Sequence, residues 1–254
     1  MTRLLGGLLL LALASGTARA GSLVEFPNTA EQPGPARLLG YLARPSEEGR
    51  FPAVVVLPGC TGISGHSAGI ADTLQNAGYV ALTVDSLGPR GLSAQCGRGF
   101  TGQTDDAYAA LHYLSEQPFV IADRIAVLGQ SMGGSAALRA LQRGTAEHVT
   151  LSFRAGIAYY PGCSAVAPTI AVPTLILVGA RDDWTSAESC RQLAELNRRD
   201  SDAIELVVYP GAYHAFDVRR LQPGRRAFGH WLEYDEPAAR DAGARVRDFL
   251  AAKL

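Results

Sequence analysis

The pentapeptide Gly129-Gln130-Ser131-Met132-Gly133 follows directly on the apolar run Arg124-Ile125-Ala126-Val127-Leu128 and opens a helical stretch from 132 to about 141. Few local patterns narrow the choice of fold so far. A strand that turns sharply into a helix needs glycine two residues before and two after the turn residue. Any side chain there would meet the neighbouring strand and helix. Such a turn leaves the serine hydroxyl at the carboxyl end of a strand, where open parallel sheets keep their working groups.

The remaining chain supplies the rest of such a sheet. After residue 50, strand-like and helix-like segments alternate. Residues 51–57 (FPAVVVL) are a near-continuous apolar run, as a strand buried on both faces requires. Further strands are expected over 79–84, 124–128, 154–159, 174–178 and 205–209. Helices are expected over 67–77, ending at Gly78, over 104–117, closed by Pro118, and over 186–197. A terminal helix over 237–254 is apolar at Val246, Phe249 and Leu250. This alternation implies an α/β fold, a mostly parallel sheet with helices on both faces. Residues 23–26 and 38–43 read as an antiparallel hairpin at one edge. The stretch 217–234, rich in Arg, Gly and aromatics and without a clear period, reads as a long loop. No internal repeat or linker is present, so residues 21–254 are expected to form one domain.

The chain begins with Met1-Thr2-Arg3, an apolar run over 4–14, and Ala18-Arg19-Ala20. This is the order of a signal peptide with cleavage after residue 20. The apolar run is too short to span a bilayer, and an uncleaved anchor is the alternative. Export to the periplasm or the medium is therefore expected, with no stable membrane anchor. Loss of residues 1–20 removes Arg3 and Arg19 and takes the formal charge from −1 to about −3. No basic block remains, which argues against nucleic acid as a partner. A monomer is the default expectation.

All four cysteines, Cys60, Cys96, Cys163 and Cys190, lie in the mature chain, and an even number in an exported protein suggests two disulfides. Four cysteines permit three pairings, and sequence does not choose between them. Cys60–Cys96 with Cys163–Cys190 is the pairing expected here, since each would link loops near the rim of the site. Four unpaired thiols are the alternative. The cysteines lack C-x-x-C spacing and the histidines are scattered, so no metal site is expected. No phosphate-binding glycine loop or dinucleotide fingerprint appears, so no cofactor is expected.

A serine hydroxyl becomes a useful nucleophile only beside a base that a carboxylate orients. Asp182 follows the strand over 174–178, and His214 follows the strand over 205–209. Ser131, Asp182 and His214 thus all fall at carboxyl ends of strands. Asp183 is the alternative acid. His230, in an irregular stretch, reads as structural, and His66, His112 and His148 precede the acid. His112 reads as a helix-face residue, and Asp85 as a group that shapes the next turn. Acyl transfer also needs two backbone donors for an oxyanion. The N–H of Met132 is one candidate, and the N–H of Cys60 in Pro58-Gly59-Cys60-Thr61-Gly62 is the other. A plain strand-to-helix turn is the alternative for that loop.

With these residues in view the chain resembles the dienelactone hydrolase family of the α/β-hydrolase superfamily. The resemblance spans roughly residues 37–254. It rests on LPGCTG (57–62), VDSLGPRG (84–91), GQSMGG (129–134), YYPGC (159–163), LILVGARDDW (175–184) and YPGAYHAFD (209–217). It implies an α/β-hydrolase fold and a cofactor-free hydrolase of esters or lactones, with Ser131 as nucleophile, Asp182 as acid and His214 as base. In that superfamily the chain order is Ser, acid, His, which this sequence obeys. Founding members use a cysteine nucleophile and are cytosolic. Here a serine, suited to ordinary carboxylic esters, stands behind a signal peptide. Arg90 and Arg98 flank the Cys96 loop and are read either as partners for an anionic substrate or as surface arginines. A serine peptidase and a non-catalytic binding protein on the same fold are the competing readings.

Overall fold

The computed structural model describes residues 21–29, 34–98, 100–143, 151–170, 172–199, 201 and 203–254. The expected signal peptide and His148 lie outside the described residues.

An eight-stranded sheet runs in the order β1-β2-β4-β3-β5-β6-β7-β8. Its strands are β1 (Ser22–Pro27), β2 (Arg37–Ala43), β3 (Phe51–Leu57), β4 (Val80–Asp85), β5 (Val120–Gln130), β6 (Ala155–Tyr159), β7 (Thr174–Gly179) and β8 (Ile204–Tyr209). The β1–β2 and β2–β4 pairs are antiparallel, and every pair from β4 through β3 to β8 is parallel. Parallel strands need crossover connections, and helices supply them, except that between β6 and β7 the described residues hold only the short 3₁₀ turn Cys163–Ala165. The helices are α1 (Gly65–Asn76), α2 (Gln103–Ser115), α3 (Met132–Ala140) and α4 (Ala187–Arg198), with α5 (Glu236–Lys253) closing the chain.

The central strands are apolar without alternation because both faces are covered. Ala53, Val55 and Leu57 of β3 join the core that includes α2, α3 and α4 residues such as Leu111, Leu138 and Leu193. Val54 and Val56 join the opposite core, with Ala71 and Leu74 of α1 and Ala242, Val246 and Leu250 of α5. The edge hairpin expected from sequence is β1 with β2. Asp85 shapes the following turn as expected, its Oδ1 accepting the backbone N–H of Leu87 (3.1 Å) and Gly88 (2.8 Å).

Two local expectations need correction. Strand β5 begins at Val120, earlier than expected, because Phe51 of β3 pairs with Val120 across a register shift despite the charged Asp123 and Arg124. The stretch 217–234 is not a plain loop. It holds a short 3₁₀ turn, Arg219–Leu221, and a two-stranded hairpin of β9 (Arg225–Ala227) and β10 (His230–Leu232). Phe228 (φ 53°) and Gly229 (φ 89°) form its turn. A two-residue hairpin turn usually announces itself by Asn-Gly or Asp-Gly, and the phenylalanine hides it.

Both disulfides are formed, Cys60–Cys96 and Cys163–Cys190, in the expected pairing. They are compatible with an exported protein. Among the described residues no helix is long and apolar enough to cross a membrane.

The fold's tightest approach is α3 against the sheet. A Cβ built on Gly133 would lie 2.1 Å from the Leu57 carbonyl oxygen, and one on Gly129 would lie 2.0 Å from that of Gly133. Both obstacles are backbone and cannot step aside. Gly133→Ala is therefore expected to cost about 3 kcal/mol or more, at the upper end of overpacking penalties. Urea unfolding measures it, and a loss below about 1 kcal/mol would contradict this packing.

Candidate active site

Ser131 occupies the turn between β5 and α3 at φ 52° and ψ −115°. A non-glycine residue in this region costs roughly 1–3 kcal/mol and persists only where its surroundings hold it. Here the Ser131 N–H donates to the Tyr159 carbonyl (2.9 Å), and the Ser131 carbonyl accepts the Ser135 N–H (2.9 Å). The turn thus locks to β6 on one side and to the first turn of α3 on the other.

The three groups singled out from sequence meet there. Ser131 Oγ lies 2.9 Å from His214 Nε2, and His214 Nδ1 lies 2.8 Å from Asp182 Oδ2. The Asp182 and His214 side chains are almost wholly buried, at 0% and 2% exposure. Asp182 Oδ1 accepts the backbone N–H of Trp184 (2.9 Å) and Thr185 (2.8 Å), closing the loop after β7 into an Asx turn. Thr185 Oγ1 lies within reach of Asp182 Oδ2 (2.8 Å), the Tyr160 carbonyl (3.0 Å) and His214 Nδ1 (3.1 Å). Burial pushes the Asp182 carboxyl up, but hydrogen bonds from His214 and Thr185 outweigh it and bring the group below its ordinary range. Asp182 thus stays ionised against the imidazole.

Asp183, the alternative acid, faces away. Its carboxylate accepts the Trp231 backbone N–H (3.1 Å) in the hairpin. His230 has the structural place expected of it, stacked on Trp184 with centroids 4.7 Å apart and Nδ1 3.0 Å from the Asp183 carbonyl. His112 lies on α2 beside Glu116.

The 58–62 loop lies against the nucleophile. A Cβ on Gly59 would be 3.7 Å from Ser131 Cβ. The Gln103 side chain donates to the Pro58 carbonyl (2.9 Å), the Gln95 N–H donates to the Cys60 carbonyl (2.7 Å), and the disulfide joins Cys60 to Cys96. Met132 is the first residue of α3, so its N–H has no partner within the helix.

These groups open into a cavity of about 380 Å³ lined by Gly59, Cys60, Ser131, Trp184, His214 and the hairpin residues Phe228 and Leu232. His66, Arg220 and Arg225 also line it. Arg90 does not. It grips the fully buried Asp106 through two hydrogen bonds of 2.9 and 2.8 Å and braces the loop after β4, while Arg98 is exposed. The basic side chains facing the cavity therefore come from the stretch read as a loop, and sequence spacing held no sign of them. His66, set aside as a base by chain order, reaches the same cavity but sits with its Nε2 3.1 Å from Asp217. Thr185 was legible in principle, since Asp-x-x-Thr after a strand is an Asx-turn pattern. Among the described residues no cluster of three metal-ligating side chains occurs.

Parallel sheet, turn geometry and cavity define an α/β-hydrolase. The dienelactone hydrolase family profile matches residues 38–254, and the chain belongs to that family. It is accordingly a carboxylic ester hydrolase. A Bradyrhizobium protein named "Probable 2-oxo-3-(5-oxofuran-2-ylidene)propanoate lactonase" is 33% identical over 218 residues, 77% of this chain and 88% of that protein. A dienelactone hydrolase-like promiscuous phosphotriesterase from metagenomic libraries has a TM-score of 0.73 at 21% identity, covering 92% of this chain and 99% of that one. An esterase of Pyrococcus furiosus has a TM-score of 0.66 at 21% identity, covering 92% of each chain. The two structures share the fold.

The lowered carboxyl of Asp182 has a consequence for stability. A group whose native pKa is depressed stabilises the fold above its unfolded pKa, and that contribution fades as pH falls through the native value. Thermal unfolding followed from about pH 6 down to about pH 2 should show a steeper acid loss for wild type than for Asp182→Asn. Parallel curves would mean that the carboxylate is not held as described.

Proposed function

We propose that this protein is an exported, cofactor-free and monomeric serine hydrolase that cleaves small carboxylic esters or lactones through an acyl-enzyme. The hydroxyl, imidazole and carboxylate of Ser131, His214 and Asp182, linked at 2.9 and 2.8 Å on the cavity wall, carry this reading. Asp182 holds the tautomer with its proton on Nδ1, leaving Nε2 free to accept. His214 takes the Ser131 proton as Oγ adds to the substrate carbonyl. The oxyanion so formed sits between the N–H groups of Met132 and Cys60. Collapse expels the alcohol oxygen, which takes the proton from His214 Nε2, and leaves the acyl group on Oγ. In a lactone the alcohol stays tethered to the acyl group. Water then gives a proton to His214 as it adds to the acyl carbonyl, the Oγ–acyl bond breaks, Ser131 Oγ recovers the proton from His214, and the acid is released. The leader over 1–20 and the two disulfides support export.

The substrate class narrows further. Arg220 and Arg225 line the cavity and form no ion pair among the described residues. A carboxylate on the substrate satisfies them, and the Bradyrhizobium relative is named for a propanoate.

Hydrolysis of p-nitrophenyl acetate, butyrate and octanoate tests the reaction. Ser131→Ala is expected to lose about ten-thousandfold in kcat with its fold intact, and retained turnover would overturn the proposal. The double variant Arg220→Gln/Arg225→Gln is expected to raise KM about tenfold for an ester bearing a free carboxylate and to leave neutral esters unchanged. Equal effects on both would remove the arginines from substrate recognition.

A further inference from the structure

A buried polar chain that the proposed reaction does not use lies directly behind His214. Tyr160 follows β6 at φ 37°, a left-handed conformation unfavourable for an aromatic residue. Its backbone N–H donates to the Leu177 carbonyl (2.7 Å), and its carbonyl lies 3.0 Å from Thr185 Oγ1. Its ring is buried against His214, with centroids 4.7 Å apart. Its hydroxyl donates to Asp217 Oδ1 (2.7 Å) and accepts from Gln130 Nε2 (3.1 Å). Asp217 Oδ2 in turn lies 3.2 Å from Gln130 Nε2 and 3.1 Å from His66 Nε2. Burial, and then the Asp217 carboxylate, push the Tyr160 phenol well above its ordinary range, so it keeps its proton and remains the donor.

Trp184 also packs against the imidazole, its centroid 4.9 Å from that of His214. It is held by the His230 stack and by its own backbone N–H on Asp182. The imidazole therefore touches two aromatic rings, each fixed by polar contacts of its own. Rings packed against it restrict the swing of the imidazole.

We infer that Tyr160, tethered by Asp217 and Gln130, is a positioning residue that with Trp184 clamps His214 in line with both Ser131 and Asp182. The inference rests on the proposed role of His214 as base. Asp217 reaches the imidazole only through the tyrosine. Gln130 precedes Ser131 in the chain, so the same tether joins the nucleophile's strand to the base. Angular error at the base is costly, since a misplacement of about 1 Å can lower rate about a hundredfold. Tyr160 and Gln130 also line the cavity, but Tyr160→Phe keeps the ring in that wall, so loss of the tether should appear in kcat rather than in KM.

Tyr160→Phe keeps the ring and cuts the tether, Asp217→Asn cuts it from the other end, and Tyr160→Leu removes the ring. The active fraction of each is fixed by titration with diethyl p-nitrophenyl phosphate, so that partial unfolding does not count as lost rate. We expect kcat on p-nitrophenyl butyrate to fall about tenfold in Tyr160→Phe and in Asp217→Asn, with KM within twofold and Tyr160→Leu worse than either. The double variant Tyr160→Phe/Asp217→Asn should fall no further than the single ones, since both cut one link. Proton NMR gives a second readout. The His214 Nδ1–H resonance, assigned by its loss in Asp182→Asn, should broaden through faster exchange in each tether variant. Wild-type kcat with an unchanged resonance in the folded single variants would overturn the inference. Turnover surviving in Ser131→Ala would instead sink the underlying reaction, and the NMR comparison would still decide whether the tether holds the ring.

Discussion

The close approach of helix α3 to the sheet governs how the rest of this molecule is arranged. Gly133 rides over the Leu57 carbonyl, and Gly129 passes under that of Gly133. Without Cβ atoms there, the chain reverses from strand to helix in a single residue. That residue is Ser131, held at φ 52° by hydrogen bonds to β6 and to α3. The strain is local and the compensation global, because the apolar cores on both faces of the sheet fix the strands that hold the turn. The same geometry sets the Ser131 hydroxyl beside His214 and leaves the first N–H of the helix without an intrahelical partner.

The other groups converge because parallel strands end on one side. β7 and β8 deliver Asp182 and His214 to the edge where β5 delivers Ser131. Each loop is then stiffened in its own way. Asp182 organises its turn by accepting two backbone N–H groups, and the Cys60 loop is tied by a disulfide and by Gln103 and Gln95. The hairpin β9–β10 bridges back to His214 through Leu232 and is pinned by Asp183. Hydrogen-bonded backbone frames the cavity on this side. Groups held in place before substrate arrives need no reorganisation during reaction, which is what electrostatic stabilisation of a transition state demands.

Charge is segregated with similar economy. Arg90 is spent on buried Asp106, where two parallel hydrogen bonds neutralise a carboxylate that would otherwise be costly to bury. Arg220 and Arg225 remain for the cavity. Behind the imidazole, Asp217 is satisfied by Tyr160 and Gln130 within a ring of aromatic side chains. A polar chain so little exposed is tolerated because its members pair, and pairing also stiffens it.

Much of this was legible in the residues alone. The alternation of apolar runs with helical segments determined the sheet and its two covered faces, since burial on both sides leaves no other composition open to a central strand. The glycine spacing around Ser131 and the placement of Asp182 and His214 after strands singled out the three groups that meet at 2.9 and 2.8 Å, because local sterics and strand direction are properties of short segments. Tertiary structure alone decided the rest. The hairpin over 225–232 carries Phe at a turn position that normally advertises itself with Asn or Asp, so only packing reveals it. Which of Asp182 and Asp183 meets the imidazole depended on which carboxylate the loop turned inward. That Arg220 and Arg225 line the cavity while Arg90 does not depends on how the hairpin packs, and the chain Tyr160–Asp217–His66 comes together from segments far apart in sequence. Contacts of that kind carry no periodicity or spacing, and only the folded chain brings their partners within reach.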